Sequence, residues 1–538
     1  MKHLLLGASA LALALGLGAP AHAQDGDFTL NILHINDFHS RFDPITGSNS
    51  DCSVESDAAG ECFGGIARLK TIIDDTRNGL EDEGENVLLL SAGDNFQGSI
   101  YYTTYKSKVV ADFFNQMGFD VVATGNHEFD DGPEEFAAFI DAAEFPIVGG
   151  NFDVSRSDDL RGKIKGSIVV EVGGERIGII GATTEDTPEI ASVGDVEFFD
   201  VVQYVRGASE ALDAAGIDKI ILLSHIGYNE DMEVAAALPL VDVIVGGHSH
   251  SLLSNTDAAA VGPYPTMVTN PAGQEVPVVQ ANQYGKYLGI ISVTWDADGN
   301  VISAEGDPYL IDASVDPNDG FVAQLADLAG PIDAVMSEVI GTSTDVIEGS
   351  REICRAMECS MGNLVADAML DRVASQGASI AFANSGGLRA SIDAGEITMG
   401  EVITVLPFSN TLATVDLSGA DVIEALENGV SDVENGAGRF PQVAGMKYTF
   451  TLAEPVGSRI LEVLVRDGDD WVPIDEDATY TIVTNDFNRA GGDGYTTFAD
   501  GDNPYDFGPP LEQVLADYIA GLGGVYTPYT DGRITEIK

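Results

Sequence analysis

VVQYVRGASEALDAAGIDKIILLSHIG, residues 201–227, reads as a helix, a strand and a histidine, in that order. The first sixteen residues mix apolar and polar side chains at helical spacing. Lys219–Ser224 is then a short apolar run, as expected of a strand buried on both faces, and it runs straight into His225. The same arrangement recurs outward from it. LNILHI precedes Asp37 and His39, NVLLLS precedes Asp94, DVVAT precedes Asn126 and His127, and DVIVG precedes His248 and His250. Helical stretches such as GGIARLKTIIDDTR, KVVADFFNQMG and PEEFAAFIDAA separate these runs. From Phe28 to about Leu310 this βα alternation predicts a sheet covered by helices on both faces. Such folds collect their ligands at the carboxyl ends of the strands, where these polar residues fall.

Beyond residue 23 the chain keeps six histidines, and all but His34 lie in those clusters. Histidine is the commonest transition-metal ligand among side chains, and carboxylates are its usual partners at hydrolytic sites. Asp37 and His39, and likewise His248 and His250, are two residues apart, which on an extended strand end puts both on one side. Asp94 follows a strand and a tight glycine, where its carboxylate can bridge two cations. Asn126 adds a neutral oxygen. The expectation is a two-metal centre that activates a water and clamps the oxygens of an in-line displacement. His34 lies inside its strand and reads as a core histidine or one that props a ligand from behind.

Residues 1–23 read as an export leader: Lys2, an apolar run, then Ala21-His22-Ala23 as the cleavage site. No second long apolar run suggests a membrane anchor, so a soluble periplasmic or secreted protein is expected. The chain has 26 basic and 86 acidic residues, which disfavours nucleic-acid polymers as partners. An acidic coat suited to a saline habitat is the simpler reading. It follows that an anionic substrate has to be attracted locally. Four cysteines in an exported chain allow three pairings, of which Cys52–Cys62 and Cys354–Cys359 close the shortest loops.

The 538 residues are too many for one core. We divide them into the leader (1–23), a metal-binding domain (24–315), a linker helix (316–340) and a second, α+β domain (341–538). In that last region SMGNLVADAMLDRVA reads as a helix capped by Ser360, and SIAFAN, KYTFTLA, RILEVLVRD and TYTIVTN read as strands. The acidic turn DGDNPYD, residues 500–506, reads as a solvated loop.

The ordered set Asp37-x-His39, Gly93-Asp94-x-x-Gln97-Gly98, Gly125-Asn126-His127-Glu128, Ser224-His225 and Gly247-His248-Ser249-His250 resembles the calcineurin-like metallophosphoesterases, and within them the 5′-nucleotidase family. The resemblance covers essentially the whole chain beyond the leader. It implies a four-layer αββα sandwich for the first domain. Asp37, His39, Asp94 and His250 would hold one divalent cation, and Asp94, Asn126, His225 and His248 the other, with zinc expected and manganese or cobalt as alternatives. His250 departs from the glutamine that a bacterial periplasmic member of the resembled family carries there. His127 and Asp130 match the catalytic pair, and Arg41 is a candidate phosphate contact. In the second domain, Asn384-Ser-Gly386-Gly-Leu-Arg389, Pro407-Phe408-Ser-Asn410 and Asn485-Asp-Phe487 through Asp493 resemble the family's nucleotide-binding loops. They imply a base held between Phe408 and Phe487, ribose hydroxyls on Asp493, and phosphate on Arg355 and Arg389. Ala490 stands where relatives often carry asparagine. The implied activity is hydrolysis of nucleoside 5′-monophosphates, with UDP-sugars and nucleoside di- or triphosphates as further substrates. Rival readings are a 2′,3′-cyclic or 3′-nucleotide esterase, a sulfur-oxidation hydrolase of similar fold, and a catalytically silent nucleotide-binding protein.

Overall fold

A computed structural model describes residues 26–538, apart from 48, 50, 51, 331, 409, 469, 506, 507 and 524. The expected leader lies outside the described residues. Two mixed sheets face each other in the first domain. The order in one is Val301–Gly306, Tyr287–Trp295, Phe28–Ile35, Val87–Ser91, Val121–Ala123, Ile147–Val148, and its last four strands are parallel. The order in the other is Thr266–Thr269, Glu275–Val279, Val243–Val245, Lys219–His225, Glu175–Thr183, Ser167–Val172, with a parallel centre and antiparallel edges.

Side-chain alternation builds the layers. Leu30, Ile32, Leu88 and Leu90 of the first sheet meet Ile177, Ile179, Ile221 and Leu223 of the second in one core. Leu33, Ile35 and Leu89 point the other way, into helices Ile66–Asp82, Ser107–Met117 and Gly132–Ala142. Ile180, Ile220 and Leu222 pack against Val201–Ala214 and Tyr228–Ala237. This is the four-layer αββα arrangement. His34 belongs to it as a core residue: its Nε2 lies 2.9 Å from the Tyr264 hydroxyl, and burial pushes its pKa down to about 3.

Between the domains a helix forms over Asp319–Ala329, started by the Asn318 side chain accepting from Phe321 N. It does not bridge open space, because Phe321 packs edge-on to Phe113, with ring centroids 4.9 Å apart. A short helix, Asp333–Met336, leads into the strand Val339–Ser343.

The second domain is built on a five-stranded sheet, ordered Pro441–Ala444, Ile380–Asn384, Thr479–Asn485, Leu412–Ser418, Asp502–Tyr505. Helices Ser360–Val373 and Leu511–Gly521 cover one face, and Gly419–Gly429 covers the other. Two local expectations fail. Ser360 is not the N-cap of its helix: Cys359 is, its Sγ accepting from Gly362 N, while Ser360 Oγ accepts from Glu348 N at 2.8 Å. The acidic run read as a loop contributes Asp502–Tyr505 as an exposed edge strand, a sheet position that tolerates Pro504. Both local disulfides, Cys52–Cys62 and Cys354–Cys359, are present. No helix among the described residues is long and apolar enough to cross a membrane.

Candidate metal centre and active site

Every expected metal ligand lies just past, or at, a strand's carboxyl end, but the pleat does not aim them. The strands Phe28–Ile35 and Val243–Val245 stop before the ligands begin. Asp37, His39, Asp94, His248 and His250 instead have left-handed backbones, with φ of 49°, 49°, 53°, 71° and 58°. The two-residue spacing therefore works through sharp turns rather than through strand periodicity. Side chains other than glycine pay for this conformation, and it clusters at functional sites. Close approach explains the neighbouring glycines. A Cβ on Gly125 would sit 2.2 Å from Asp94 Oδ1, and one on Gly247 would sit 2.8 Å from both the Ala92 carbonyl and His225 Nδ1.

The donor atoms converge on two carboxylate oxygens. Asp94 Oδ1 accepts from His127 N at 2.9 Å, which turns Oδ2 towards His225 Nε2 at 2.9 Å, His39 Nε2 at 3.8 Å and His127 Nε2 at 3.9 Å. Asn36 Nδ2 donates to Asp37 Oδ2 and His248 N to both of its oxygens, while Oδ1 faces His250 Nε2 at 3.1 Å and His39 Nε2 at 3.9 Å. Asn126 Oδ1 and His248 Nδ1 are 2.9 Å apart. The protein backbone sets which imidazole nitrogen points inward: His225 Nδ1 lies 2.6 Å from Ala92 O and His39 Nδ1 3.2 Å from Phe96 O.

This set fits divalent cations. His225 Nε2 is buried and makes no aligned hydrogen bond despite its closeness to Asp94, and His39 and His250 bring their Nε2 atoms to 3.2 Å of each other. Imidazole nitrogens and carboxylate oxygens brought this close together suit an ion among them. Burial, then neighbouring cationic groups, hold His39 and His250 well below the usual imidazole range, and burial and His225 take His248 to about 3. These rings are therefore neutral, as ligands must be. Burial opposes charge on His225 too, but Asp94 and Asp37 outweigh it and push it up to about 10. Burial works against charge on Asp94, yet His225 and then His127 hold it well below the usual carboxylate range.

His127 forms the expected pair with Asp130, Nδ1 to Oδ2 at 2.6 Å. Burial works against its charge, yet Asp130 and Asp94 raise its pKa. Phe408 of the second domain lies over its ring, centroids 5.7 Å apart and 24° between planes. Arg389 also crosses from the second domain: Nη2 lies 3.1 Å from His39 Nε2, and its guanidinium covers Phe408. Arg355 is buried, its Nη1 donating to Gly436 O while its Nε has no partner among the described residues. Asn384 Nδ2 donates to Asp493 Oδ2 at 2.7 Å, and Gly386 N donates to Gly438 O. The half-buried Phe487 ring packs on Gly492, where a Cβ would come within 2.5 Å of it. No ring contact joins Phe487 to Phe408 among the described residues. Arg41 points at the second domain's backbone, Nη2 to Arg389 O at 3.5 Å.

Three residues at the site carried no role in the sequence reading. Glu128 accepts from the backbone N–H of Asp94, Asn95 and Gly125, tying two ligand loops together. Its place in the Gly-Asn-His-Glu motif was the available signal. The half-buried Arg351 donates to His248 O at 3.2 Å and joins the buried Arg355 and Arg389 in a cationic cluster, where desolvation and then Arg389 disfavour its charge. Its position four residues before Arg355 was a weak hint. Tyr284 lies edge-on to both His39 and His250, and nothing in the turn Asn282–Gly285 announced it.

Comparison with known proteins places this geometry. Residues 30–252 match the calcineurin-like phosphoesterase family and residues 339–500 match the 5′-nucleotidase C-terminal domain. The crystal structure of a 5′-nucleotidase precursor from Thermus thermophilus superposes with a TM-score of 0.90 at 40% identity, covering 95% of this chain and 99% of that one. A human 5′-nucleotidase is 35% identical over 533 residues, covering 95% of this chain and 91% of its own. The snake venom 5′-nucleotidase of Crotalus adamanteus is 34% identical over 536 residues, covering 95% and 89%.

Proposed function

We propose, because the chain belongs to the 5′-nucleotidase family of metal-dependent phosphomonoester hydrolases, that it is an exported enzyme using two divalent cations to release phosphate from nucleoside 5′-monophosphates. One observation carries the reading to a phosphate ester: the Arg389 guanidinium lies 3.1 Å from His39 within the donor cluster. A guanidinium fork beside a cation site suits a dianion that engages both.

Asp37, His39, Asp94 and His250 would hold one cation and Asp94, Asn126, His225 and His248 the other, consistent with the donor groups that cluster there. Zinc, manganese and cobalt all suit such nitrogen and carboxylate donors. When bound, the cations supply Lewis acidity, acidifying a water and offsetting phosphate charge. Asp130 fixes His127 Nδ1, so that Nε2 addresses the ester and donates its proton to a phosphoryl oxygen or to the departing 5′-oxygen. Arg355 and Arg389 hold phosphate oxygens, with Arg351 extending their field and Arg41 beside them. Phe408 and Phe487 bound the base, and Asn384, Gly386 and Asp493 the ribose. Asn384 presets Asp493 by the hydrogen bond it already donates.

Phosphate release from 5′-AMP, 3′-AMP, 2′,3′-cyclic AMP, ATP and UDP-glucose, with zinc, manganese or cobalt, tests the reading. Metal-dependent cleavage of 5′-AMP is expected, absent in Asp94→Asn, whereas Phe487→Ala should mainly raise KM. Cleavage confined to 3′ or cyclic esters would replace the substrate assignment. Metal binding without any turnover would leave a nucleotide-binding protein.

A further inference from the structure

The Arg389 guanidinium reaches the metal donors, but the second domain does not fix its main chain alone. Its carbonyl oxygen accepts from two first-domain side chains, the Tyr284 hydroxyl at 3.3 Å and Arg41 Nη2 at 3.5 Å. The two donors support each other, because the Arg41 guanidinium lies over the Tyr284 ring, 4.8 Å from its centroid. Tyr284 is itself anchored at the centre. Its backbone N–H donates to the Asp37 carbonyl at 2.7 Å, and its ring stands edge-on to His39 and His250 at 5.7 Å and 5.9 Å. All three side chains are buried. A tyrosine kept only to fill this space would not need its hydroxyl on the opposite domain's backbone.

We propose that Tyr284, with Arg41 packed on its face, is a positioning residue: a first-domain clasp on the Arg389 carbonyl that sets the Arg389 guanidinium at the metal centre when the domains are together. The inference rests on the phosphate-binding role given to Arg389 above. Both hydrogen bonds are long, so each contributes modestly, and their convergence on one carbonyl makes the clasp. It couples domain closure to the arrival of the arginine that the reaction needs.

Tyr284→Phe keeps the ring and removes the hydroxyl, so folding is preserved and the clasp alone is weakened. We expect kcat/KM for 5′-AMP to fall by about 3- to 10-fold, the range of one net hydrogen bond. In an Arg389→Ala background the same change should cost less, since the part of its effect that acts through the guanidinium is already gone. Dye labels introduced as Glu210→Cys and Glu462→Cys, one in each domain, should show a longer mean separation in Tyr284→Phe. A parent-like rate, or a loss that simply adds to that of Arg389→Ala, overturns the clasp. Should the parent fail to cleave 5′-AMP, the proposed function falls while the label separation alone decides the clasp, an unchanged separation refuting it.

Discussion

Glu128 illustrates how single residues hold this site without touching what it binds. Its carboxylate collects three backbone N–H groups from the loops that carry Asp94 and Asn126, and burial, then Asp94, push its pKa up to about 7. Glutamine there would turn an amide donor against one of those donors. Glu128→Gln should therefore weaken metal binding by about 10- to 100-fold, the usual effect of losing support behind the ligands. Chelator competition would measure it, and an unchanged metal affinity would remove Glu128 from the centre. The residue types at this scale were legible in the sequence, because His and Asp in ordered clusters carry their chemistry with them. Their backbone was not. The left-handed turns at Asp37, His39, His248 and His250 need contacts from several loops to over-determine them, and no local pattern records those contacts.

Helices and strands were legible wherever burial is periodic and long, as in Lys219–His225 and Val201–Ala214. Their ends were less so. Ser360 looked like a cap, but Glu348 N claims its hydroxyl and leaves the role to Cys359, which the disulfide to Cys354 holds in place. Helix Met399–Val405 shows a cap that works: Thr398 Oγ1 accepts from Glu401 N while Glu401 accepts from Thr398 N. This helix leads into the Phe408 loop. Thr398→Ala should destabilise the second domain by about 1 kcal/mol and Thr398→Ser much less. Denaturant unfolding followed in that domain checks this, and equal losses in both variants would refute the capping account.

At the scale of the molecule, a formal charge of −60 surrounds a cleft containing Arg351, Arg355 and Arg389. The coat repels nucleotides at a distance and salt screens it. Raising sodium chloride from about 0.01 to about 0.15 M, across which the Debye length shortens roughly from 30 to 8 Å, should therefore increase kcat/KM, and more for ATP than for 5′-AMP. A decrease would mean that the cleft arginines govern encounter. The sequence by itself determined the layered α/β class, the two-domain division in outline and the chemistry of the candidate metal ligands. All three follow from periodicity and residue type, which act over a few neighbouring positions. Only the tertiary structure decided which oxygen of Asp94 faces the imidazoles, that Arg389 reaches His39, and that Tyr284 holds the Arg389 carbonyl. Those partners stand 350 and 105 positions apart in the last two cases. Contacts at such separations arise from how two domains pack, and packing is a property of surfaces that no single segment contains.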